Sequence, residues 1–119
     1  MITQAFAQQF AQEWIAAWNS HDLERILAHY TDDFEMSSPF IAAIAGEPSG
    51  TLKGKEQVGN YWAAALKKMP DLKFDLVDVL FSVNSVVIYY HSVMGKMSAE
   101  WFWFDASGKV TKAIGHYNQ

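Results

Sequence analysis

The chain has 119 residues, 9 Lys and Arg against 13 Asp and Glu for a net charge of −4, no cysteine, and half its residues apolar with only 18% charged. That length suits one folded unit, expected to span residues 1–119, and the composition excludes a disordered segment, a coiled coil or a simple charged module. No basic run exceeds Lys67-Lys68, which argues against nucleic acid as a partner, and the missing thiols exclude disulfides, thiolate catalysis and thiolate metal sites.

In chain order, Phe6, Phe10, Trp14 and Trp18 recur every four residues with Ala7, Ala11 and Ala17 beside them, which predicts an amphipathic first helix. Asn19-Ser20-His21-Asp22 interrupts it. Asp22 then caps a second helix with the stripe Leu23, Ile26, Leu27 and Tyr30, ended by Thr31-Asp32-Asp33. From Phe34 the period becomes two, with Phe34, Met36 and Ser38 on one face of a short strand stopped by Pro39. Residues 40–54 read as a loop, its Phe40-Ile41 start apolar enough to fold back as a lid. A third helix follows with the stripe Val58, Trp62, Ala65, Leu66 and Met69, and Pro70 ends it.

The remainder is rich in strands. Residues 72–82 alternate with a change of phase near Leu76-Val77, which predicts a bulge or burial on both faces. Val86 to Met94 and Met97 to Phe104 follow, separated by Gly95-Lys96, and Asp105–Gly108 turns the chain into Val110 through Tyr117. The order αα-β-α-ββββ predicts an α+β fold with a curved antiparallel sheet wrapped by helices on one face. The N-terminus has no basic leader and no apolar run reaches the ~18 residues of a membrane span. A cytoplasmic protein without membrane association is the expectation.

The string Trp14-Ile15-Ala16-Ala17-Trp18-Asn19-Ser20-His21-Asp22-Leu23-Glu24, then Tyr30-Thr31-Asp32-Asp33-Phe34, Gly54-Lys55-Glu56 and Phe102-Trp103-Phe104-Asp105 with Gly108-Lys109-Val110, resembles the nuclear transport factor 2-like superfamily. Its SnoaL-like and ketosteroid isomerase branches are the nearest in kind. The resemblance implies a cone around an apolar pocket and dimerisation through the outer sheet surface. It also implies positions for an Asp base, a helix tyrosine and a protonated acid, which fall here on Ser38, Trp14 and Glu100. A serine hydroxyl without an activating base cannot abstract a proton near neutral pH, so steroid-isomerase chemistry is not expected by that route. Trp14 retains one donor, its indole N–H, although plain packing of the first helix explains it equally well.

Glu100, Phe102 and Phe104 share one strand face, and Ala99, Trp101 and Trp103 the other. If the first set faces the cone, Glu100 is a carboxyl against aromatic walls and burial favours its neutral form; if not, it sits in solvent near a strand end. The same choice of face makes Trp101 and Trp103 an outer apolar patch, expected as a homodimer interface. His91, mid-strand, is the histidine placed to act as a base if it faces inward. His21 reads as structural, His29 as solvated and His116 as outward. No metal-ligand spacing is present, and neither a metal nor a cofactor is expected.

The expected pocket walls are Trp14, Trp18, Phe34, Met36, Ser38, Tyr61, Trp62, Phe102 and Tyr117. Two functional readings stand together. One is a small apolar organic ligand anchored by Glu100, with acid-assisted isomerisation, cyclisation or dehydration of a carbonyl compound if the chain is an enzyme. The other is a non-catalytic ligand-binding or assembly domain.

Overall fold

In the computed structural model, which describes residues 1–118, the first helix begins at a cap: the Thr3 hydroxyl accepts the Phe6 N–H at 3.1 Å. Helix α1 runs Gln4–Ser20 and buries Ala7, Phe10, Ala11, Trp14, Ala17 and Trp18, the face that the four-residue spacing marks. His21 ends it in the left-handed region, φ 61°, and returns its N–H to the Trp18 carbonyl. Asp22 caps α2 (Leu23–Leu27) by accepting the Arg25 N–H at 3.3 Å.

Helix α2 is shorter than its apolar stripe suggests. The His29 carbonyl accepts the Val110 N–H at 2.9 Å, which draws the chain into the sheet, so Tyr30 opens β1 (Tyr30–Ser37) instead of closing the helix. Residues 40–54 are also more ordered than a plain loop. Phe40 leads into a π-helical turn, Ile41–Ala45, and Thr51–Lys53 forms β2 against β1, with Ser37 and Thr51 hydroxyls 2.8 Å apart. Ile41 is fully buried, which pins that segment down. Helix α3 follows (Gly54–Lys68), burying Val58, Gly59 and Trp62.

Strands β3 (Asp75–Phe81), β4 (Ser85–His91), β5 (Met97–Phe104) and β6 (Val110–Tyr117) complete a six-stranded sheet in the order β2-β1-β6-β5-β4-β3. Every neighbouring pair is antiparallel except β1 and β6, which run parallel. The register of β3 on β4 slips between Leu76 and Asp78, where the sequence changes phase. Strand β4 stops at His91 rather than Met94, because Val93–Gly95 form a 3₁₀ turn with Met94 at φ 55°. The result is the α+β architecture of a cystatin-like fold. Its inner sheet face packs on α1 and α3, and Phe34, Val86, Ile88, Phe102 and Ala113 lie fully buried between them. No helix among the described residues is long and apolar enough to cross a membrane.

One long-range device positions the site. The Asn19 side chain donates to the Phe74 carbonyl at 3.0 Å and accepts the Phe74 N–H at 2.7 Å. His21 Nε2 lies 2.8 Å from the Leu72 carbonyl. The polar break after α1 thus hangs the segment that enters β3, and with it Leu72 and Phe74, against the end of the helix.

Candidate functional site

Strand β5 alternates strictly: Ser98, Glu100, Phe102 and Phe104 are buried on the inner face, while Trp101 is 44% exposed on the outer one. Toward the end of β5, Phe102 and Phe104 each meet Phe10 edge-on with ring centres 4.9 Å apart, and that part of the interior is filled. Past Glu100, toward the end where β5 begins and β4 and β6 finish, the interior opens into a cavity of about 80 Å³. It is lined by Trp14, Trp18, Met36, Ser38, Phe40, Tyr61, Trp62, Ala65, Met69, Leu72, Phe74, Tyr90, Ser92, Val93, Glu100 and Tyr117. That space exceeds what one water occupies several times over.

Glu100 is 3% exposed and is the one carboxyl among the described residues lining this cavity. Burial pushes its pKa up to about 8, against a smaller opposing effect of the Tyr90 hydroxyl, which donates to Oε1 at 3.3 Å. Burial thus favours the neutral acid over the carboxylate. The tyrosines around it respond in turn. Burial, then the Glu100 charge, moves Tyr61 up to about 12 and raises Tyr30, Tyr90 and Tyr117 as well. These phenols are therefore hydrogen-bond donors throughout the physiological range. Ser38 acts against that rise at Tyr117, and its hydroxyl oxygen accepts the Phe40 N–H at 3.1 Å.

Of the residues expected to form the walls, Trp14, Trp18, Met36, Ser38, Tyr61, Trp62 and Tyr117 line the cavity together with Glu100. Phe34 and Phe102 do not; both are wholly buried behind it, Phe34 against Tyr30 and Trp62, Phe102 against Phe10 and Trp14. Trp14 is not a free donor, since its indole N–H is taken by Tyr30 Oη at 3.0 Å in the core. His91 does not reach the cavity. Strand β4 turns Val86, Ile88 and Tyr90 inward and leaves His91 exposed on the other face, so a base role for it does not fit.

Sequence reasoning missed Tyr90, the direct partner of Glu100. Its signal was present in the pairing: β4 and β5 form a hairpin in which Tyr90 faces Ser98 and Ile88 faces Glu100, so Tyr90 shares the inner side with the acid. Phe40, Leu72, Phe74 and Val93 were missed as walls because turns and side-chain bonds from distant segments bring them there.

On the outer face Trp101 and Trp103 lie 5.9 Å apart, with His116 5.7 Å from Trp101 and Lys112 Nζ 5.8 Å from the Trp103 ring. Among the described residues no three His, Asp or Glu side chains are placed to hold a metal ion.

A family model of the SnoaL-like domain matches residues 11–113. Among solved structures, the chain is similar to a SnoaL-like protein of unknown function from Burkholderia thailandensis. The two are 57% identical with a TM-score of 0.97, over 99% of this chain and 98% of that one. It also shares its fold with a proposed isomerase of the SnoaL-like family from Agrobacterium tumefaciens, at 17% identity and TM-score 0.77 over 98% of this chain and 100% of the other. IdmH from Streptomyces antibioticus, named as a proposed polyketide cyclase, matches at 19% identity and TM-score 0.76 over 94% and 91% of the two chains. No curated protein matches the sequence.

Proposed function

The chain belongs to the SnoaL-like domain family, and from that premise and the placement of Glu100 we propose that it binds a small, largely apolar carbonyl compound in its cavity. The single observation that supports this reading is a buried carboxyl, Glu100, at the boundary between an aromatic-filled end and an open one, where desolvation favours its neutral form. A neutral acid there donates a hydrogen bond to a carbonyl oxygen without carrying a buried charge. With a pKa near working pH it is also suited to give up a proton and recover one, so acid-assisted isomerisation, cyclisation or dehydration is the reaction class.

A non-catalytic binding role is the second reading. One observation favours it: no imidazole and no second carboxyl among the described residues lines the cavity. Exchange of the methyl hydrogens of acetophenone in D₂O, followed by NMR, separates the two. Exchange accelerated by the wild-type chain and lost in Glu100→Gln supports proton-transfer catalysis. Binding without acceleration supports the binding role, and a chain that does not bind small ketones at all refutes both.

A homodimer through the outer face belongs to the same proposal. Trp101 and Tyr89, 44% and 41% exposed, stand on adjacent strands beside Trp103. An apolar patch of that kind is better buried against a second copy than left in water.

A further inference from the structure

We propose that the ligand of the cavity carries an anionic group at the end remote from its carbonyl, and that Lys68 and Lys73 bind that group in a hollow at the cavity entrance. The inference rests on the reading of the cavity as a site for carbonyl compounds, and it narrows the substrate class to those with an anionic tail.

Beside the cavity lies a second hollow of about 350 Å³, walled by residues 68–73 after α3 and by residues 92–94 between β4 and β5. Met69, Leu72, Ser92 and Val93 line both spaces, so they form the partition between them. Met69 and Val93 are only partly buried, and a methionine side chain is flexible enough to make way. The cavity by itself, at about 80 Å³, is small beside the ~300–1,000 Å³ usual for sites of organic ligands. A ligand that continues across the partition occupies both spaces.

The two spaces differ in what they accept. No Lys, Arg or His among the described residues lines the cavity, so an anion inside it would lose its hydration with no cation to compensate. The hollow is the reverse. Lys68 and Lys73 line it, both exposed, and Asp71 lines it too, which leaves one positive charge in excess among its lining residues in a chain of net charge −4. Lys73 Nζ is 3.9 Å from Asp75 Oδ1 with both side chains in water, a contact loose enough to yield to a ligand anion. The local sequence brings the two lysines to one place: α3 ends at Lys68, Pro70 forbids its continuation, and the chain turns back through Lys73 into Phe74, whose backbone Asn19 holds. Lysines suit the C-terminal turn of any helix because of its dipole, which accounts for Lys67 and Lys68 alike, but of these two only Lys68 lines the hollow. Charge thereby orients the ligand. Its carbonyl enters first, toward Glu100, and its anion stays at the entrance in water beside the ammonium groups.

The test compares acetophenone with two longer probes of equal length, 4-(4-acetylphenyl)butanoate and 4-(4-acetylphenyl)butanamide, with affinities read from ¹H–¹⁵N shifts. The wild-type chain should bind the acid about three- to tenfold more tightly than the amide, the size expected for two exposed ion pairs, and added salt should shrink that preference. Lys68→Gln combined with Lys73→Gln should abolish it, and Asp71→Asn should widen it about twofold. Lys67→Gln, which removes the same charge from the same helix end outside the hollow, should leave it unchanged. Acetophenone affinity should be equal in all these variants, which shows the cavity intact. Equal binding of acid and amide by the wild type, or a preference that survives loss of both lysines, overturns this inference, while acetophenone binding leaves the reading of the cavity standing. A wild-type chain that binds none of the three probes overturns both.

Discussion

Replacing Glu100 with Gln should change how the stability of the chain depends on pH. In the folded state the carboxyl titrates at about 8 instead of its ordinary 4.5, so the native protein holds this proton more tightly than the unfolded chain. The unfolded chain releases it first as pH rises. The penalty is therefore absent below 4.5, grows between 4.5 and 8, and is complete above 8. At ~1.4 kcal/mol for each tenfold difference in proton affinity, it reaches about 3 kcal/mol at pH 7 and on the order of 5 kcal/mol above pH 9. For a domain whose net stability is typically ~5–15 kcal/mol, that is a large share. The assay is denaturant unfolding of wild type and Glu100→Gln between pH 5 and 9. Gln keeps the volume and a donor but has no proton to lose, so any constant offset between the two proteins cancels in the comparison. The wild type should lose about 4 kcal/mol relative to the variant across that range. A gap that stays constant within about 1 kcal/mol would refute the reasoning, because it would mean that the carboxyl is not desolvated in the folded chain.

Further outcomes follow from other parts of the molecule. Changing Trp101 and Trp103 together to Glu should convert a dimer to a monomer in analytical ultracentrifugation; an unchanged mass would refute the outer face as the interface. Asn19→Ala removes both hydrogen bonds to the Phe74 backbone and should cost about 2–3 kcal/mol in denaturant unfolding. The same variant should weaken ketone binding, since Leu72 and Phe74 line the cavity, whereas a loss of stability with unaltered binding would separate that clamp from the site.

The sequence made some parts of this site legible and hid others for identifiable reasons. Met97–Phe104 could be read residue by residue because turn residues bound it and its two faces differ, Ser and Glu with Phe on one side, Ala with Trp on the other. That alternation puts Glu100 on one face with Phe102 and Phe104, and the structure turns that face inward. His91 was opaque by contrast. Val86 to Tyr90 is apolar on both faces, so nothing in the strand itself says which side is inside until its pairing with β5 is known. Tyr30 sits at helical spacing from Leu23, Ile26 and Leu27, and only the bond between His29 and Val110, 81 residues apart in sequence, assigns it to the sheet. Strand β2 has three residues, too few for any periodicity to register. Leu72 and Phe74 reach the cavity through side-chain bonds from Asn19 and His21, an arrangement without a local signature.

The parallel pairing of β1 with β6 has a consequence for how the protein is made. The strand that comes last in sequence lies inside the sheet, between β1 and β5, and it carries both Gly115 and Tyr117. Without β6 the strands β1–β2 and β3–β5 share no pairing, and each group has an unpaired edge where β6 lies. Pairing of β6 with β1 and β5 joins the two groups, closes both edges and puts Ser38 and Tyr117 on one cavity. Contacts of such long sequence separation form slowly, and exposed edges invite pairing with other chains. Completion of the cavity and protection of both sheet edges thus depend on the same strand, and a chain lacking β6 would lose both.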